Sequence, residues 1–171
     1  GPRINAGGRV GKSFYGPELL ISDDPEKVYK IAINLEKSNK ERQAIELLLT
    51  EKVEEEVKKK HNKPLLVLSG INWHEGIIGI VASRIKEKYN KPAVLISINN
   101  KIGKGSARSI VGFDIGKNII AAVQSGIIEK GGGHKMAGGF TLKENNIHLF
   151  EDFLLNNFIK TKLNYTQEIK L

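Results

Sequence analysis

The 171-residue sequence contains no cysteine, which removes disulfides and thiolate metal sites and fits a reducing, cytoplasmic setting. It also lacks any apolar run near the roughly 20 residues that cross a bilayer, so no membrane partner is expected. Aromatic residues make up only 6%, with a single tryptophan. Acids are scarce in the middle of the chain. Between residues 61 and 143 they are Glu75, Glu87, Asp114 and Glu129, and Asp114 reads as a helix cap. A catalytic metal pair needs clustered Asp, Glu and His. Neither an HExxH sequence nor paired aspartates at ligand spacing occurs, so no bound metal is expected in these residues.

The basic residues are present in excess. The net charge is +8, and it is unevenly spread: residues 1–15 carry +3, 16–60 carry −2, 61–143 carry +8 and 144–171 carry −1. The positive stretches are also the glycine-rich ones. Such a stretch attracts phosphate by Coulomb steering and counterion release. A plain solvated surface is the alternative reading of the same charge.

The glycine-rich head, 1–16, reads as a loop of irregular backbone. Pro17 to Leu20 reads as a first short helix. Ser22-Asp23-Asp24-Pro25-Glu26 then combines a side-chain cap, proline in the first turn and acid near the positive end of the dipole. From there to about Lys60 no Gly or Pro intervenes. Apolar residues recur at three- and four-residue steps, from Val28 and Ile31 to Val53 and Val57. A helix of about 35 residues is roughly 50 Å long, enough for a strut between two bodies. Two helices broken near Asn39 are the alternative, because the stripe turns polar around Ser38–Arg42. Downstream, Leu65–Ser69 and Pro92–Ile98 read as buried strands, Lys101–Ile110 as a third extended segment and Ala137–Leu142 as a further strand. Helices are expected over Ile77–Tyr89, from Asp114 to about Ser125, and over Ile147–Phe158. Strand and helix alternate, which predicts an α/β fold: a mixed sheet flanked by helices, preceded by the long connecting helix.

Three segments hold chemistry. In Lys104-Gly105-Ser106-Ala107-Arg108-Ser109, Ser106 and Arg108 share a face if the backbone is extended. A hydroxyl beside a guanidinium suits a pair of phosphate oxygens, and Gly105 lets the backbone come close. In Gly131-Gly132-Gly133-His134, successive glycines mark a sharp bend, a close approach or an anion-binding nest. His134 is positioned there to donate to a phosphate, carry a proton or ligate a metal, a structural role being the plainer reading of a lone histidine. In Asn72-Trp73-His74-Glu75-Gly76, a strand leads into a helix, where ligands of open α/β sheets often bind. Trp73 either stacks on a base or seals the core, the second being the plainer role. Trp73, His74 and Lys104 are candidate substrate contacts.

In order and spacing, GPRINAGGR, NKERQ, WHEGIIGIVASRI, KGSARSIVGFDI and GGGHKMAGGF resemble the C-terminal part of the RecJ single-strand DNA exonucleases of the DHH phosphoesterase superfamily. The resemblance implies an interdomain loop (1–16), a helical connector (17–62), a DHH-associated substrate-binding domain (63–160) and the start of a truncated oligonucleotide-binding domain (161–171), with Tyr165–Leu171 as its first strand. It implies that Ser106 and Arg108 grip the 5′ phosphate or nearby backbone, helped by Arg3 or Arg9. By the same resemblance His134 faces the metal centre and contacts the scissile phosphate, while Gly131, Gly132 and Gly133 let the strand pass. The implied partners are single-stranded DNA and a catalytic domain of the same chain, absent here, that binds manganese or magnesium and carries the Asp-His-His signature. Cut away from that domain, these residues are expected to be inactive alone. Two other readings remain: a short-oligonucleotide or cyclic-dinucleotide phosphodiesterase of the same superfamily, and a stand-alone nucleic-acid-binding module such as the tRNA-contacting domain of alanyl-tRNA synthetases.

Overall fold

The glycine-rich head is helical in the computed structural model, which describes residues 1–60 and 62–168. The first helix, α1, spans Pro2–Val10 and carries its proline in the first turn, where a missing N–H costs nothing. Its glycines are spacers rather than breakers. A Cβ on Gly7 would stand 3.0 Å from Leu35 Cδ2 and 3.2 Å from the Lys12 carbonyl; one on Gly11 would meet the Ser38 hydroxyl at 2.7 Å. The expected loop over 1–16 is thus corrected: these glycines let helices approach closely. The second helix, α2, spans Tyr15–Ile21.

The third helix, α3, runs from Pro25 to Lys59 without interruption. Asp24 caps it, its Oδ1 accepting from the N–H groups of Glu26 (3.0 Å) and Lys27 (3.3 Å). The break near Asn39 does not occur. There the side chains hold one another at helical spacing: Arg42 donates twice to Asn39 Oδ1 at 3.3 Å and pairs with Glu46. Ser38, Asn39 and Glu46 are buried. The polar patch continues the helix by side-chain bonding where the apolar stripe lapses.

The chain forms two compact units, Gly1–Glu51 and Lys52–Leu171. The first holds α1, α2 and most of α3. The second is built on a five-stranded mixed sheet in the order β1-β2-β3-β5-β4. Strand β1 (Leu66–Ile71) leads through α4 (Glu75–Tyr89) to β2 (Ala93–Asn99), which lies parallel to it. A two-residue turn with positive φ at Asn100 (49°) and Lys101 (64°) reverses the chain into β3 (Ile102–Arg108), the geometry that matches the twist of a hairpin. Helix α5 (Ile115–Gln124) is capped by Asp114, whose carboxylate accepts from Lys117 N–H at 3.0 Å. It leads to β4 (Lys130–His134), β5 (Ala137–Lys143) and α6 (Ile147–Glu168). All strand pairs except β1·β2 are antiparallel.

One face of the sheet makes the main core with α5 and α6, through Ile119, Phe140, Leu142, Phe150 and Leu154. Phe140 meets Phe150 edge-on at 4.7 Å, and Phe113 meets Phe158 at 5.1 Å. Edge-to-face pairs of this kind add about 0.5–1.5 kcal/mol beyond burial. The other face receives α4 through Ile77, Ile78, Val81 and Ile85. Buried Glu151 of α6 accepts from Lys63 at 2.6 Å and Lys60 at 3.3 Å, and Lys60 also donates to the Val67 carbonyl at 2.9 Å. These bonds tie the segment entering β1 to the last helix.

Two expectations are corrected here. The triple glycine is a regular edge strand, β4, because its backbone finds a ladder with β5. A strand was expected at Tyr165–Leu171, but α6 remains helical through Glu168; residues 169–171 lie outside those described.

Candidate nucleic-acid interface

Strand β3 alternates sharply. Gly103, Gly105 and Ala107 turn toward the α5–α6 core, while Lys104, Ser106 and Arg108 turn toward α4. Gly105 serves packing: a Cβ there would stand 2.0–2.5 Å from ring carbons of Phe140. The strand register then places three cross-sheet rows on the α4 side. Arg108, Ala137 and His134 form the first; Ser106, Gly139 and Gly132 the second; Lys104, Thr141 and Lys130 the third. Neighbouring strands lie about 4.8 Å apart, so the Arg108 and His134 backbones are roughly 10 Å from each other.

Helix α4 covers only part of this face. Its Glu75 and Ile78 form one wall of an open groove of about 520 Å³, whose floor includes Ser106, Gly131, Gly139 and Thr141 and whose other charged lining groups are Lys104 and Lys130. Arg108 lies in the first row beside it. Its Nη1 donates to the Ser106 hydroxyl at 3.1 Å and to the Ala107 carbonyl at 2.8 Å. Gly79 of α4 makes the room: a Cβ there would stand 2.9 Å from Ser106 Oγ and 3.1 Å from Arg108 Nη2. Arg108 is thereby held beside the Ser106 hydroxyl, which keeps its own hydrogen for an acceptor. Such a pair can bind a phosphate from two directions. His134 is exposed at the end of β4. The loop beyond Arg108 and the turn beyond His134 are bound together, Ser109 N–H donating to the Met136 carbonyl at 2.9 Å and Ile115 N–H to the Lys135 carbonyl at 3.2 Å.

The three glycines divide. A Cβ on Gly131 would strike Ile119 and Phe140, and one on Gly133 would strike the Ala137 carbonyl. Gly132 has open space before it. Of the three, only Gly132 leaves its Cβ position clear, and the groove's lining takes in Gly131 rather than Gly132. Trp73 is half-buried with its indole over Gly70, and its carbonyl accepts from Ser97 Oγ at 2.5 Å. His74 caps α4, its Nδ1 accepting from Gly76 N–H at 3.2 Å. Both have structural duties. Lys104 lines the groove and pairs with Glu75 at 2.8 Å. Arg3 and Arg9 lie on α1 in the first unit, where Arg3 pairs with Glu36 at 2.5 Å.

Sequence reasoning missed Lys130, Thr141 and Gly139 as residues of the groove. The alternate spacing of Gly132, His134, Ala137, Gly139 and Thr141 carried the signal, but it is visible only once Gly131–Gly133 is taken as a strand.

The fold and this groove define a DHH-associated α/β domain. A family model described as the DHHA1 domain matches residues 62–160, and the chain belongs to that family. Over 149 residues it is 34% identical to the single-stranded-DNA-specific exonuclease RecJ of Bacillus subtilis, a match covering 85% of this chain and 19% of that protein. Two crystal structures of RecJ from Thermus thermophilus superpose on 93% of the chain. The complex with Mg2+ gives a TM-score of 0.79 at 27% identity over 24% of its chain; the complex with Mn2+ gives 0.80 at 26% over 23%. The chain thus spans about a fifth to a quarter of these relatives.

A divalent cation does not fit the residues at hand. Among the described residues no group of three or more His, Cys, Asp or Glu converges to hold one. The groove offers cations and hydroxyls, which suit an anion.

Proposed function

We propose that the chain is the strand-holding part of a RecJ-like exonuclease that degrades single-stranded DNA from the 5′ end in DNA repair and recombination. Ser106 and Arg108 hold the 5′ phosphate, with Arg3 or Arg9 assisting, and His134 contacts the scissile phosphate. Residues 63–160 bind substrate, and the preceding helices connect them to a catalytic domain of the same longer protein. Manganese or magnesium would be held by that domain. The contribution of the present residues is positioning, which converts a loosely bound strand into one aligned for attack. The observation that carries this reading is the gathering of Arg108, Ser106 and His134 on one accessible face, with Gly79 clearing space for the guanidinium.

Binding of fluorescent single-stranded DNA, with and without a 5′ phosphate and over a salt series, tests it. Wild-type binding should weaken with salt and prefer the phosphate. Arg108→Ala should remove a charge-assisted bond worth about 1.5–3 kcal/mol, roughly 10- to 150-fold in affinity. Binding indifferent to both the phosphate and the substitution defeats the assignment. Tighter binding to structured RNA would favour a binding module instead. The chain alone should cleave nothing; metal-dependent cleavage by pure chain, lost in Arg108→Ala, would overturn that part.

A further inference from the structure

We infer that the corner between α1 and α2 is a stacking platform for an unpaired nucleobase, Phe14 taking the base and Lys12 the phosphate beside it. This rests on the reading that the chain holds single-stranded DNA. The platform lies wholly within the first unit, Gly1–Glu51.

Exposure of the ring is the first ground. Of the six phenylalanines, Phe113, Phe140, Phe150 and Phe158 are no more than 5% exposed, and Phe153 packs partly buried against the main core. Phe14 is 52% exposed. The join of α2 to α1 is made by other residues. Gly16 is buried, where a Cβ would stand 2.9 Å from Ile4 Cγ2, and Tyr15 Cβ lies 3.9 Å from the Cβ position of Gly7. Phe14 opens α2 without capping it, since no side chain bonds to the free amides there. The ring is nevertheless held. It stands edge-on to Tyr15, with centroids 4.8 Å apart. The backbone around it is tied by three bonds: Gly11 N–H to the Gly7 carbonyl at 3.1 Å, Tyr15 N–H to the Lys12 carbonyl at 3.2 Å, and Glu18 N–H to the Phe14 carbonyl at 3.0 Å. A ring fixed before the ligand arrives loses little entropy on binding.

Charge is the second ground. Arg3, Arg9 and Lys12 all precede Glu18, the first acid of the sequence, and Lys27 holds Glu18 at 2.7 Å. Lys12 is exposed, and among the described residues it has no carboxylate partner. Its Nζ lies instead 5.8 Å from the centre of the Phe14 ring and 5.9 Å from that of Tyr15. An ammonium and an accessible aromatic surface therefore meet at one place. Sites for single strands combine these two elements: cations follow the phosphates, and aromatic rings take the faces of the bases. Paired bases present their faces to one another, so such a ring selects a strand whose bases are free.

The test uses the whole chain and two 5′-phosphorylated strands of equal length, an oligothymidylate and one in which abasic tetrahydrofuran residues replace every nucleoside. The phosphates are the same and only the bases differ. Wild type should prefer the thymidylate. Phe14→Ala should weaken thymidylate binding about 5- to 150-fold, the 1–3 kcal/mol of one stacked base, and leave the abasic strand unchanged. Phe14→Trp should keep the wild-type preference. Phe14→Leu, which retains an apolar side chain without a π-face, should lose it; this variant also serves if Phe14→Ala lowers the melting temperature. Lys12→Ala should weaken both strands alike and lower the salt slope by about 0.7, one phosphate's worth. Equal losses on the two strands in Phe14→Ala, no loss on either, or full thymidylate binding by Phe14→Leu overturns the inference; the last outcome would mark the ring as an apolar contact for a protein surface. Arg108→Ala separates the two readings. If it weakens both strands while Phe14→Ala weakens neither, the phosphate grip stands and the platform falls. If it weakens neither while Phe14→Ala weakens the thymidylate alone, the platform stands and the grip falls. Failure of wild type to bind either strand overturns both.

Discussion

The two faces of the β3-β5-β4 half-sheet use the same residue type for opposite ends. On the α5–α6 side, Gly105 and Gly131 are hollows that Phe140 and Ile119 occupy. On the α4 side, Gly132 and Gly139 remain empty. The covered face is a jigsaw in which a missing side chain is filled by a neighbour; the open face keeps its gap. A glycine therefore reports function only after the space its Cβ would take has been inspected.

The largest effects should come from breaking the covered face. Phe150 is fully buried against Phe140. Phe150→Ala removes a ring and leaves a cavity, which should cost about 3–5 kcal/mol in denaturant unfolding. Gly105→Val attacks the same packing from the sheet side. The added carbons would collide with the edge of the Phe140 ring, so stability should fall by about 1–3 kcal/mol or more, with the ring displaced. Asp114→Ala takes away the cap of α5, the helix that roofs this face. About 1 kcal/mol should be lost, visible as a lower urea midpoint.

These core positions were legible before the structure. Leu65–Ser69 and Pro92–Ile98 are continuous apolar runs, and the caps at Asp24 and Asp114 announce their helices, because burial and capping leave local patterns. The open face was half legible. Ser106 and Arg108 were placed on one side by the alternation of a strand. Lys130, Thr141 and Gly139 were not, since their meeting with Lys104 and Ser106 depends on a strand order, β3-β5-β4, that no local pattern encodes. The head misled for a physical reason. Glycine is poor in an isolated helix, but against Leu35 and Ser38 its lack of a side chain permits packing that outweighs the propensity.

The smallest stability effect, and the sharpest contrast between the faces, should come from Glu75→Gln. Its ion pair with Lys104 is exposed, with 43% and 57% of the two side chains accessible, so the pair should contribute no more than about 1 kcal/mol. Glu75 also sits in the first turn of α4, where a negative charge adds about 0.3–1 kcal/mol through the helix dipole, screened by salt. A thermal melt at physiological salt should therefore shift by a few degrees at most. Binding should move the other way. With the carboxylate gone, Lys104 no longer has to be released and one repulsion of phosphate disappears. Affinity for a single-stranded oligonucleotide should rise severalfold. A core substitution cannot produce that pattern, because loss of packing weakens the fold and every ligand together. Equal affinities for Glu75→Gln and wild type would mean that no phosphate reaches Lys104.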